Sequence, residues 1–208
     1  MTIDSKNLLE SILDSLNRID YIKPADVPGI DLYMDQVTTF MDSQLQSSKR
    51  YEEDKILTKT MINNYAKNNL LPPPEKKKYS REHLLLLIFI YYFKNILSIS
   101  DIKSLLSPLT ENYFHTGRGL QLDEIYTEVF SLEKSQIEVM KEDLIRKYET
   151  SGQTFCDSPE EERNFLQLFS FICMLSFDVY VKKQVIEKLI DQLPDPEKKN
   201  KKKERTAE

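Results

Sequence analysis

Leu84–Phe93 is an unbroken run of ten apolar residues closed by Lys94, and few folds can house such a segment. It falls well short of the roughly 20 positions a membrane-spanning helix needs. No side of it is polar enough to face water, so the pattern predicts a helix buried all round, with the rest of its module packed about it. The flanks agree with a helix. Ser80 is placed to cap its N-terminus, and Glu82 falls in the first turn, where a carboxylate complements the helix dipole. Upstream, Pro72, Pro73 and Pro74 forbid helix continuation and stiffen the connection. Only four glycines occur in 208 residues, so tight glycine hairpins and phosphate-cradling loops are disfavoured and an all-α fold is expected.

Helical spacing extends through most of the chain. Leu8, Leu9, Ile12, Leu13, Leu16 and Ile19 predict an N-terminal amphipathic helix, which Pro24, Pro28 and Gly29 end. Asp31–Leu45 presents Tyr33, Val37, Phe40, Met41 and Leu45 on one face, and a polar connector follows from Gln46 to Lys55. Thr58 is a suitable N-cap for a short helix with Met61, Ile62 and Tyr65 as its buried side, and Asn68 and Asn69 can close it. Ser100 and Asp101 start a further helix expected to run to Leu106, before Pro108. In the second half, Leu122, Ile125, Val129, Leu132, Ile137, Met140, Leu144 and Tyr148 mark one helix. Ser158-Pro159-Glu160-Glu161-Glu162 opens another, with a cap, a proline at the first position and acids in the first turn. Three regions are expected: residues 1–110, a helical hairpin or bundle over 111–193, and a disordered charged tail over 194–208.

The short polar helix carries the chemistry. Lys59, Thr60, Asn63, Asn64 and Lys67 suit phosphates and base edges: asparagine can donate and accept at adenine, and lysine reaches guanine or phosphate. The loop after it adds Lys76, Lys77, Lys78, Tyr79 and Arg81, placed to straddle phosphates. Net charge is −5, yet Gln46–Ser100 holds ten Lys/Arg against five Asp/Glu, a local +5, so the remainder carries −10. Phosphate is met by the local face rather than by the total charge.

Other chemistries find little support. Cys156 and Cys173 form neither a disulfide framework nor a zinc signature, and Cys173 reads as a small core residue in a reducing cytoplasm. His83 and His115 lack a third ligand at metal spacing, so neither a metal nor a cofactor is expected, and no enzyme. Gly117-Arg118-Gly119 is read as a turn, not a phosphate loop. The N-terminus has acids in its first helical turns and is not expected to be a signal peptide. Phe165–Val181 includes Gln167 and Asp178, so a buried helix is expected there rather than a membrane span. Its aromatics, Phe165, Phe169, Phe171, Phe177 and Tyr180, are read as core, and Lys198–Lys203 as a solubilising tail.

Residues Leu57–Leu106 resemble the DNA-binding domain of MerR-type regulators, a winged helix-turn-helix. Thr58, Ile62, Tyr65, Leu70-Leu71-Pro72-Pro73, Tyr79, Leu84, Ile102, Leu105 and Leu106 carry the likeness, while Asn63 stands where those proteins usually have an arginine. The whole chain is similar to the bacterial family catalogued as domain of unknown function 1836. The resemblance implies a MerR-like winged helix-turn-helix followed by a C-terminal helical hairpin or bundle. It implies a cytoplasmic transcriptional regulator that binds duplex DNA as a homodimer, with an effector the sequence leaves unnamed. In that reading Thr58, Lys59, Thr60, Asn63, Asn64, Lys67, Lys76, Lys77, Lys78, Tyr79 and Arg81 make the DNA face: the cations hold phosphate, and Thr60, Asn63 and Asn64 face bases. The competing expectation is a winged-helix protein-interaction module without DNA binding, which the net charge and Asn63 favour.

Overall fold

The computed structural model describes residues 5–16, 21–117 and 119–193. Ile19, Arg118 and the charged tail from Pro194 lie outside the described residues. Among the described residues, seven α-helices and one two-stranded antiparallel pair follow in the order α1 (Ser5–Leu16), β1 (Leu32–Tyr33), α2 (Met34–Gln44), α3 (Lys59–Lys67), β2 (Lys78–Tyr79), α4 (Arg81–Phe93), α5 (Ile99–Tyr113), α6 (Leu122–Gly152) and α7 (Glu160–Ile190). The chain is predominantly α, as the glycine scarcity and helical periodicity indicate.

The described residues form two compact units, one from 21–128 with 185–193 and one from 5–16 with 129–184. The first is organised about α4. His83 through Tyr91 are buried in unbroken succession, as a helix without a polar face requires. Leu84, Leu85, Leu86, Leu87, Ile88 and Ile90 are wholly inaccessible. The same unit also buries Val37 and Met41 of α2, Ile62 of α3, Ile102 and Leu106 of α5 and Tyr126 of α6. The Tyr126 ring stands edge-on to Phe89 at 5.5 Å, and its hydroxyl donates to the Ile22 carbonyl at 2.5 Å. Lys94 ends α4 and donates to the Ile56 carbonyl at 2.9 Å; burial lowers its pKa.

Several local expectations are corrected. Tyr33 lies on β1, half-exposed, rather than on the buried face of α2, which consists of Val37, Met41 and Leu45. The helix expected from Asp101 to Leu106 starts earlier and ends later. Ser98 caps it by accepting from the Asp101 amide, while Asp101 accepts in return from the Ser98 amide, a reciprocal capping box. Pro108 sits inside α5 without ending it. A proline removes its own amide from the ladder and crowds the carbonyl one turn back, yet α5 continues past it to Tyr113.

In the second unit, α6 and α7 form an antiparallel hairpin. Tyr148 and Phe171 meet edge-on at 5.6 Å, Gln167 Nε2 donates to the Gly152 and Thr154 carbonyls, and Lys147 pairs with Asp143 and Asp178. Here the expectation of a buried last helix fails within the single chain. Phe171 is buried, but Phe165, Phe169, Phe177 and Tyr180 are each more than half exposed, and Cys173 is exposed. One hairpin partner covers one side of a helix, and α7 is apolar nearly all round.

Candidate nucleic-acid interface

The polar helix forms where its cap predicts. Thr58 Oγ1 accepts from the Met61 amide at 3.2 Å, Ile62 and Tyr65 are buried, and burial raises the Tyr65 pKa. The opposite side presents Thr60, Asn63, Asn64 and Lys67, spaced three, one and three residues apart and therefore on one stripe. Asn68 and Asn69 close α3. The Asn68 amide and its Nδ2 donate to the Asn64 carbonyl at 3.0 and 2.7 Å, and Asn69 takes φ +58°.

Beyond α3, Leu70 and Leu71 plug into the core and lead to the three prolines. A tight turn then reverses the chain. The Lys78 amide donates to the Glu75 carbonyl at 2.8 Å, and Lys76 and Lys77 both take left-handed backbone, φ +49° and +66°. Two consecutive positive φ angles define the hairpin turn that favours Asn-Gly, because only those residues adopt it cheaply. Here two lysines occupy it, exposed to solvent. Each L-residue with a Cβ pays about 1–2 kcal/mol in that conformation.

The turn leads into β2, which pairs with β1 in the register Leu32 to Tyr79 and Tyr33 to Lys78. This long-range pairing brings the loop and α3 together. The Lys78 ammonium lies 5.3 Å above the Tyr33 ring, and two residues on, Asp35 pairs with Lys59 at the start of α3. Tyr33 and Asp35 are thus part of the face, and periodicity could not reveal them, because the signal is a strand pairing of residues 45 and 47 positions apart.

Two expected contact residues sit elsewhere than on an open phosphate surface, and a third, Lys59, is exposed but ion-paired. Tyr79 is buried, its ring edge-on to His83 at 5.5 Å, and burial raises its pKa. Lys59 shares its charge with Asp35. Arg81 is committed inside the fold: Nε donates to both Asp123 carboxylate oxygens at 2.8 and 3.0 Å, Nη2 to the Pro24 carbonyl at 2.7 Å, and Nη1 to the Val27 carbonyl. Lys67, Lys76 and Lys77 are exposed, and Lys78 is half-buried over its tyrosine.

Behind the loop lies a histidine pair that spacing alone did not suggest. His83 Nδ1 accepts from the Ser80 amide at 3.0 Å, so the proton belongs on Nε2. That nitrogen is buried with no hydrogen-bond partner. Burial lowers the His83 pKa, with the Pro73 carbonyl opposing and His115 assisting. Ser80 Oγ lies 3.0 Å from His115 Nε2, and the Glu82 carboxylate reaches the same nitrogen at 2.9 Å. Ser80 Oγ also lies 2.8 Å from His83 Nδ1, and at His115 the hydroxyl and carboxylate meet one nitrogen, not the opposite nitrogens of a nucleophile relay.

A depressed histidine pKa has a defined pH consequence. Below about pH 6.5 the unfolded chain takes up a proton that folded His83 refuses, so its contribution is complete above that pH and lost as pH falls toward the lowered value. His83→Gln keeps an acceptor for the Ser80 amide and cannot titrate. Its urea midpoint relative to wild type should therefore rise between pH 7 and pH 5. A difference independent of pH would remove His83 as the cause.

Residues 22–129 match the sequence model of the family described as a domain of unknown function, DUF1836. This chain belongs to that family. No curated protein and no solved structure matches it. The DUF1836 segment coincides within one residue at each end with the compact stretch 21–128. It contains every residue of the candidate face and also Asp123, the partner of Arg81.

Proposed function

We propose that this DUF1836 protein binds duplex DNA, with α3 as a recognition helix and the 72–78 loop as a wing, in the manner of a MerR-like transcriptional regulator acting as a homodimer. The observation that carries the reading is the Lys76-Lys77 turn, two exposed cations held in left-handed backbone at the tip of a loop that strand pairing fixes beside α3. Strain that packing does not require points to a use for those side chains. In this arrangement Thr60, Asn63 and Asn64 face base edges, and Lys67, Lys76, Lys77 and Lys78 hold phosphate. Tyr33 joins them through its hydroxyl. Arg81 and Tyr79 support the wing from inside.

The engagement of Lys59 with Asp35 and of Arg81 with Asp123 favours a second reading, a winged module whose partner is a protein. Duplex binding measured at 50 and 200 mM salt separates the two. Four phosphate contacts predict a slope of about −3.6 in log affinity against log salt. Asn63→Ala should remove roughly 1–3 kcal/mol of preference between duplex sequences while leaving that slope unchanged. Binding that is absent or indifferent to salt would transfer the face to a protein partner.

A further inference from the structure

We infer that the solvent face of α7 is covered by α7 of a second copy running antiparallel, so that two α6–α7 hairpins close into a four-helix bundle. Between Arg163 and Lys182 the helix carries a single charged side chain, Asp178, and that one turns inward to pair with the Lys147 ammonium of α6. On the other side Phe165, Phe169, Ile172, Phe177, Val179 and Tyr180 are each more than half exposed. At 3.6 residues per turn these six fall within about 160° of the helix surface. A ring covers about 150–250 Å² when fully buried, so the six hold roughly 600 Å² per copy and about 1,200 Å² per pair. That reaches the lower bound of a stable interface.

Charge identifies the occupant. Glu161 and Glu162 stand at one end of the apolar face and Lys183 at the other, about 32–33 Å apart along the helix, while Lys182 lies on the α6 side beside Asp178. A copy turned end for end about a two-fold near Ile172 sets Glu161 and Glu162 of each copy beside Lys183 of the other. A parallel copy sets acids against acids. The two-fold is also the commonest symmetry of homo-oligomers, and it makes the patch self-complementary. A bilayer is the other apolar cover to consider, since among the described residues α7 is the one helix long and apolar enough to cross a membrane. The Asp178–Lys147 pair argues against it. It ties α7 to α6, whose Glu142, Asp143 and Arg146 would have to enter hydrocarbon alongside.

The inference stands apart from DNA contact, because it is tested without DNA. Sedimentation equilibrium of the full chain across the micromolar range should give twice 24.5 kDa. Ile172→Glu, at a position 51% exposed in the single chain, should give a monomer of unchanged helicity. Val179→Glu serves as the second variant should the first lose its circular dichroism. Glu161→Lys with Glu162→Lys should weaken dimerisation at least tenfold, and adding Lys183→Glu should restore part of it. A monomeric wild type, a dimer indifferent to both face variants, or a charge swap without loss or rescue would overturn the proposal. So would flotation of the chain with phosphatidylcholine vesicles.

Discussion

Arg81→Ala is expected to destabilise the protein by about 2–4 kcal/mol while leaving DNA affinity of the folded chain unchanged. The guanidinium joins three segments: the Pro24 and Val27 carbonyls of the 21–30 stretch, the N-terminus of α4, and Asp123 at the start of α6. Truncation leaves a carboxylate and two carbonyls without their donor, at about 1–3 kcal/mol for each group that water cannot reach. The Arg81 and Asp123 side chains are 27% and 37% exposed, so water restores part of the loss and the total stays well below a full sum. Arg81→Lys keeps the charge but not the planar fork, and should recover less than half of the stability. Urea midpoints check the first claim and duplex titration the second. Lost affinity at unchanged stability would return Arg81 to the phosphate face.

Arg81 also marks the limit of what the sequence discloses. It lies in a lysine-rich stretch, and a local reading assigns it to phosphate; its partner Asp123 lies 42 residues downstream, where no local pattern points. The buried α4 was legible because ten apolar residues leave no solvent side, and the caps at Thr58 and Ser80 were legible because capping is local chemistry. Tyr33 was misplaced for the opposite reason. Its spacing to Val37, Met41 and Leu45 fits a helix, but its amide donates to Gln36 Oε1 as the residue before α2 while its backbone pairs with Lys78. The Ser98 cap lost to Ser100 because two serines two residues apart both precede Asp101, and only Ser98 stands at the three-residue spacing a capping box needs. Apolar periodicity in α7 identified a face that must be covered. Periodicity cannot say whether the cover is the same chain or another.

The Lys76-Lys77 turn allows stability and the proposed DNA binding to be pulled in opposite directions. Lys76→Asn with Lys77→Gly places at the turn the residues that accept left-handed backbone, where the lysines stand at φ +49° and +66°. The gain should be about 1–2 kcal/mol in unfolding free energy, less than the full relief because glycine also loosens the unfolded chain. The same change removes two cations. If both meet phosphate, the salt slope should become shallower by about 1.8 log units, and affinity should fall on all duplex sequences alike. Changing Lys76, Lys77 and Lys78 together to alanine should remove about 2.7 log units of slope and weaken binding by roughly 10²–10³-fold at 0.1 M salt relative to a 1 M reference. Alanine brings no relief of strain, so that variant should not gain stability. A more stable Asn-Gly turn with undiminished affinity would mean the strained lysines do not touch DNA. A more stable turn with weaker, less salt-sensitive binding would mean that the cations at this turn are kept for the contact they make, at the expense of the fold that holds them.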